Sequence, residues 1–316
     1  MDIKEILKNH NSPLVDTASE KDYLLAHLLP EMKYFDNKEK IINEVTAVSN
    51  QASLSTCTSN ATCDGFEYVI DDKIDLSRLF VYWNSRTNKA QATGTSIRSA
   101  LDSIRVYGVP PEYAWPYDPE KVNIKPSDES YQLASSKKKT TYYRVRTCEE
   151  IIAAINAGWP VVFSILLDEV FVTSRPAADY VFIGNKLSEY SHAMLIVGYR
   201  QVNKGYQFRI RNSWGSSWGD NGYCWFDGDY ISRSMSDGWA ITNYDPQEPI
   251  ISRRNVEFAI SSLVSAGLTC FFLYVSNSIT IDKLIAGLLL TAGLQLFASW
   301  RRWWINITIN DKIKLF

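Results

Sequence analysis

Residues 51–61 read QASLSTCTSNA, and one thiol, Cys57, stands in a run of small polar residues six positions after Gln51. Such a thiol can be an ordinary buried side chain, since free cysteine is among the most buried residue types. It can also be a nucleophile presented at the start of a helix. A nucleophilic cysteine needs a base that takes its proton near neutral pH, and a third group that orients the base. Histidine is scarce: the 3 in the chain are His10, His27 and His192. The first two fall in the N-terminal stretch, whereas His192 opens the apolar strand pattern SHAMLIVGY. Further on, IRNSWGSSWGDNGYCWF sets Asn212 after a strand pattern and before Ser213, Trp214 and Gly215. An Asn oxygen can accept an imidazole N–H and fix its tautomer, and a neighbouring Trp can shield that bond from water. Each feature has a plain packing explanation by itself; the ordered combination carries the weight.

Elements must position these residues. Helical patterning follows Cys57 through Phe66, Val69 and Ile70, with the small Ala61 and Gly65 one turn apart. A second helix is expected at SIRSALDSIRVYG, ending at Gly108 before the turn-rich VPPEYAWPYDPE. The polar SDESYQLASSKKKTT reads as an exposed loop. TCEEIIAAINAG reads as a helix capped by Thr147, with Glu150 in the capping-box position and Gly158 just past the end. PVVFSI, HAMLIVGY, YQFRIRN and GYCWFD are strand patterns. Helices first and antiparallel strands later imply an α+β fold.

Bulk composition narrows the function. With 46% hydrophobic and 22% charged residues, the 316-residue chain can bury a sizeable core. The net charge of -2 gives no basic footprint for nucleic acid, so no nucleic-acid partner is expected. The 5 cysteines are scattered with no CxxC pair, which argues against a disulfide framework and a structural zinc site and fits a reducing compartment. No metal or cofactor is called for. MDIKEILKNH has no apolar core of a secretory signal; Ile3, Ile6 and Leu7 suit at most a short amphipathic helix.

Over roughly residues 45–245 the chain resembles the papain-like cysteine peptidases. The family has a Gln six residues before its nucleophile, as Gln51 stands before Cys57. Its His begins an apolar strand ending in Gly-Tyr, as in HAMLIVGY, and its Asn sits in an NSWG–WG–NGY block, here NSWGSSWGDNGY. GTSIRSAL and EYAWPYD resemble the family's cleft helix and its Tyr-Pro-Tyr-like turn. The resemblance implies a two-lobed fold: a helical lobe carrying the Cys helix, and an antiparallel β-barrel-like lobe carrying His and Asn. It implies Cys57 as nucleophile, His192 as acid and base, and Asn212 as its orienter. The Gln51 amide and the Cys57 backbone N–H would form an oxyanion hole, each donor worth ~3 kcal/mol of barrier. Trp214 and Trp218 would wall the site, and Gly94 would be the cleft glycine. Departures also show: Ser55-Thr56-Cys57-Thr58 replaces the usual GSCW, and Leu54 replaces the common Cys. Thr58-Ser59-Asn60-Ala61 is a pattern associated with bacterial and viral relatives. Ser191 stands where Asp is common, and the N-terminal extension is shorter than the family's inhibitory prosegment.

The expected domains are an N-terminal extension (1–30), a peptidase domain (31–247) and a C-terminal hydrophobic helical hairpin (248–316). FAISSLVSAGLTCFFLYV and LIAGLLLTAGLQLFASW are uncharged runs near the lower length limit for spanning a bilayer. Arg253–Arg254 and Arg301–Arg302 flank them, so residues 256–300 are expected to anchor the chain in a membrane, with the catalytic domain facing the cytoplasm. A viral or bacterial internal membrane would suit. The expected partners are a protein or peptide substrate and a membrane. The expected function is a membrane-tethered cysteine endopeptidase. Its competitors are a catalytically silent scaffold of the same fold and an acyl transferase or peptide ligase.

Overall fold

The computed structural model describes residues 13–242 except 20–21, 29–36, 44–45, 71–72, 136–140, 174–176 and 178. All lie in the unit Met1–Asp245. The N-terminal helix expected around Ile3, Ile6 and Leu7 lies outside them.

The helices start where short polar side chains can cap them. Helix α1, Cys57–Glu67, is the exception: Thr56 precedes it without a side-chain capping bond, and the helix is buried along its whole length. In α2, Arg78–Ser85, the Ser77 side chain accepts from the Phe80 N–H; in α3, Ile97–Tyr107, Ser96 accepts from Ser99 and Gly108 ends the helix at φ 78°. Ser127 caps the short α4, Asp128–Ala134, in the stretch expected to be a loop. Its buried face is only Ser130 and Ala134, too narrow and polar a stripe to stand out in the sequence. Helix α5, Cys148–Asn156, has the expected Thr147 cap on the Glu150 N–H. Two further short α-helices among the described residues are α6 at Glu169–Thr173 and α7 at Gly228–Ser234.

The strands are β1 (Glu39–Ile41), β2 (Thr141–Arg144), β3 (Val161–Asp168), β4 (Val181–Phe182), β5 (Leu187–Val202), β6 (Gly205–Arg211), β7 (Tyr223–Asp227) and β8 (Met235–Thr242). They form one sheet in the order β2-β8-β3-β5-β6-β7-β4, with β1 paired to β5. Every pair is antiparallel except β4–β7. The α+β class is as expected. The barrel-like lobe is an open sheet whose path runs from β2 to β4 without closing.

Side chains alternate across a strand, and here both faces are buried. Val162, Leu195, Val197, Trp239 and Ile241 pack with Phe66, Leu101 and Ile104 of the helical half. Val161, Phe163, Ile196 and Ala240 point into a second core with Phe208, Ile210 and Phe226. That double burial explains the nearly continuous apolar runs PVVFSI and HAMLIVGY. Gly65 lets α1 lie close on the sheet, since a Cβ there would sit 2.8 Å from Ile241 Cδ1 and 3.0 Å from Leu195 Cδ1. The N-terminal stretch is docked on the same body. The Leu14 N–H donates to the Thr95 carbonyl at 3.1 Å, Asp22 pairs with Arg98 and Arg144, and Leu25 is buried in the second core.

The membrane-anchored localisation needs correction. Among the described residues no helix is long and apolar enough to cross a membrane; α1 and α3 reach 11 residues, against about 20 needed. The two uncharged runs behind that expectation, within 256–300, lie outside the described residues.

Candidate active site

Cys57 is the first residue of α1, 2% exposed, at the end of the helix where backbone N–H groups are unsatisfied and the dipole is positive. The other described cysteines sit differently. Burial pushes the Cys63 and Cys224 thiols well above the usual range, and that of Cys148 upward. A thiol raised in that way is inert near neutral pH. Cys270 lies outside the described residues.

His192 sits in β5 opposite Ile165 of β3, so its backbone is fixed within the central ladder, and it is 1% exposed. Its Nε2 lies 2.9 Å from Asn212 Oδ1. An amide oxygen only accepts, so Nε2 carries the proton and Nδ1 is the nitrogen left for acid–base work. Trp214 stacks on the imidazole, with centroids 4.9 Å apart and planes 27° apart. Trp218 stands edge-on behind Trp214 at 5.5 Å, and Phe171 packs on both indoles at 5.2 and 4.9 Å. These rings keep water from the His192–Asn212 bond, where low polarity strengthens it.

The third component enters by backbone pairing. Asn50 and Trp214 form an antiparallel bridge, the Gln51 N–H donates to the Ser213 carbonyl at 2.8 Å, and the Gly215 N–H donates to the Ser49 carbonyl at 2.9 Å. Gly215 has φ 76°, a left-handed conformation in which a side chain would be strained, with Asn50 against it. Gln51 is thereby seated beside the Asn212 segment, and its side chain is fixed at both ends. Ser213 Oγ donates to Oε1 at 2.6 Å, and Nε2 donates to the Leu54 carbonyl at 2.9 Å. An amide nitrogen has two hydrogens, so one is left to point at a developing negative charge.

Gly94 is buried, and the loop after it is tied to α1 by Thr58 Oγ1 donating to the Thr95 carbonyl at 3.1 Å. Two positioning residues escape notice in the sequence. Tyr117, in the turn WPYD, donates its hydroxyl to the Gln51 carbonyl at 2.8 Å and lies 2.5 Å from Thr56 Oγ1. One phenol thus holds the residues before and at the start of the segment presenting Cys57. Ser213 is the other, through its bond to Gln51. A turn Tyr and a Ser in a glycine-rich block have no signal of their own; only their place within the motifs points to them.

Comparisons with known proteins identify the family. The papain family cysteine protease model matches residues 31–236. An uncharacterised peptidase C1-like protein of Acanthamoeba polyphaga mimivirus is 30% identical over 255 residues, covering 71% of this chain and 81% of that protein. A viral cathepsin of Spodoptera litura multicapsid nucleopolyhedrovirus is 28% identical over 188 residues, covering 58% of this chain and 53% of that protein. Among solved structures, xylellain, a cysteine protease from Xylella fastidiosa, superposes with a TM-score of 0.64 at 27% identity, covering 73% of this chain and 95% of that one.

Proposed function

Because the chain belongs to the papain family of cysteine proteases, we propose that it is an endopeptidase working through a Cys57 thioester. A protease acts on protein or peptide substrates. The observation that carries the residue assignment is the His192 Nε2–Asn212 Oδ1 bond under Trp214, which leaves Nδ1 for the thiol. In the proposed sequence, Nδ1 takes the Cys57 proton and the thiolate attacks the peptide carbonyl carbon. The oxyanion is met by the Cys57 backbone N–H and the remaining Gln51 Nε2–H. The C–N bond then breaks, the electron pair leaves on nitrogen, and His192 returns its proton to that amine. Water, deprotonated by His192 Nδ1, attacks the thioester carbon and expels the thiolate, releasing the acid. Gly94 would border the backbone of bound substrate, with Trp214 and Trp218 as walls. The peptidase domain is taken as 31–247, after an extension over 1–30.

A complete set of Cys57, His192, Asn212 and Gln51 favours this reading over a silent scaffold. The test is an active-site thiol probe with a fluorogenic peptide. Cys57→Ala should abolish labelling and hydrolysis while keeping the fold, because a methyl group forms no thioester. Cys63→Ala should retain both. Turnover surviving in the Cys57 variant would sink the assignment.

A further inference from the structure

Two turns beyond Cys57 on the same helix, Asp64 is 1% exposed. A buried carboxylate must be compensated. Arg78 Nη2 lies 2.7 Å from its Oδ1, while Arg211 Nε at 2.9 Å and Ser49 Oγ at 3.1 Å meet its Oδ2. Burial alone would push the Asp64 carboxyl up; the Arg211 and Arg78 guanidiniums hold it below its ordinary value. Arg211 is itself 1% exposed. Besides Asp64, its fork donates to the Thr46 carbonyl (3.0 Å), the Tyr223 hydroxyl (3.0 Å), Thr46 Oγ1 (3.3 Å) and the Ala47 carbonyl (2.6 Å). With the Asp64 bond, these engage all three guanidinium nitrogens among the described residues. Such a side chain has one orientation.

What it orients follows from covalent structure. Arg211 ends β6 and is bonded directly to Asn212. Ser49 joins the same carboxylate, and its own carbonyl accepts from Gly215 in the strand pairing that seats Gln51. One carboxylate on the Cys57 helix therefore meets both the Asn212 segment and the Gln51 segment. Holding two halves of a core together does not call for charge, since well-packed apolar residues often do as well or better than a buried ion pair. A bonded fork adds direction.

We propose that Asp64 and Arg211 are a positioning pair for the protease reaction. The carboxylate on α1 grips the residue before Asn212 and thereby sets the His192 imidazole in reach of the Cys57 thiol. Arg78 steadies Asp64 from the opposite side. This rests on the assignment of Cys57, His192 and Asn212 above.

The experiment uses the full chain with Asp64→Asn, Arg211→Lys and Tyr223→Phe, and Cys57→Ala as control. It measures kcat and KM on a fluorogenic peptide, the pH profile of Cys57 alkylation by iodoacetamide, and the melting temperature. Asp64→Asn and Arg211→Lys should lower kcat on the order of 10- to 100-fold, as small misplacements of a reacting group do. KM should stay within about twofold, because substrate contacts are untouched. The acidic limb of alkylation should move to higher pH, since a misaligned imidazolium stabilises the thiolate less. Should Asp64→Asn fail to fold, Arg211→Lys and Tyr223→Phe keep both charges and carry the same readouts. If the folded variants melt lower yet keep the wild-type kcat and alkylation profile, the pair is only structural and the proposal is overturned. Turnover in Cys57→Ala would instead remove its premise, a separate and recognisable failure.

Discussion

Asn212 spends its side-chain oxygen twice, on His192 Nε2 and on the Ser213 N–H at 2.8 Å, and its Nδ2 has no partner among the described residues. Its work is therefore acceptance, and its charge state matters. In Asn212→Asp a carboxylate would face the imidazolium and favour it, so the basic limb of the pH–rate profile should move up by about one pH unit. An unmoved limb would mean that His192 is not the titrating base. Gln51→Ala removes one of the two proposed oxyanion donors and should cost on the order of 100-fold in kcat. In the proposed role Gln51 acts on a charge that exists only in the transition state, so KM should hardly change; a dominant KM effect in steady-state kinetics would place it in substrate binding instead.

At the scale of elements, the nucleophile's position depends on how deeply α1 settles on the sheet, and Gly65 sets that depth. In Gly65→Val the new Cβ would start 2.8 Å from Ile241 Cδ1 and 3.4 Å from Val162 Cγ2, before its two methyls are added. Both neighbours are fully buried. Overpacking of this kind should destabilise by about 3 kcal/mol, read as a lower denaturant midpoint. A midpoint equal to wild type would mean that α1 shifts freely on the sheet. These same elements show what a sequence discloses. Helix α5 was legible from Thr147 and Glu150, the end of α3 from Gly108, and the central strands from apolar runs buried on both faces. Helix α4 was not, because its buried stripe is two small residues, and its hold on the fold is distant: Ser130 Oγ to the Ala114 carbonyl, and Tyr131 on Phe80. Of the residues proposed for the site, Cys57, His192 and Asn212 stood out in the sequence by type and order, and Gln51 through the family resemblance. The Asp64–Arg211 pair did not, since nothing local links residues 147 positions apart.

At the scale of the whole molecule, the described carboxyls include two opposite kinds, and their shifts predict how stability varies with pH. Burial pushes Glu67 up to about 8 despite Arg78, and Glu112 up to about 7. Asp237 also reaches about 7 through burial and its hydrogen bond with Asp16. In these three the folded state holds its proton more tightly than the unfolded chain, so their contribution is complete below the unfolded values near pH 4 and is lost as pH rises through 7–8. Asp22 and Asp64 run the other way. Burial raises both, but Ser19, Arg144 and Arg98 around Asp22, and Arg211 and Arg78 beside Asp64, outweigh it and hold both carboxyls low. Their contribution is present above the unfolded value near 4 and is lost as pH falls through the lowered one. Stability should therefore peak in mildly acidic solution and decline between about pH 5 and 8. The measurement is the urea midpoint across pH in the Cys57→Ala background, which suppresses self-digestion. Glu67→Gln mimics the protonated acid that accepts from the Leu76 N–H and Arg78, so it should flatten the upper part of that decline while leaving the acidic side unchanged. A midpoint that rises steadily from pH 5 to 8 would show that Glu67, Glu112 and Asp237 are ionised in the folded protein, and that charge repulsion in the unfolded chain dominates instead.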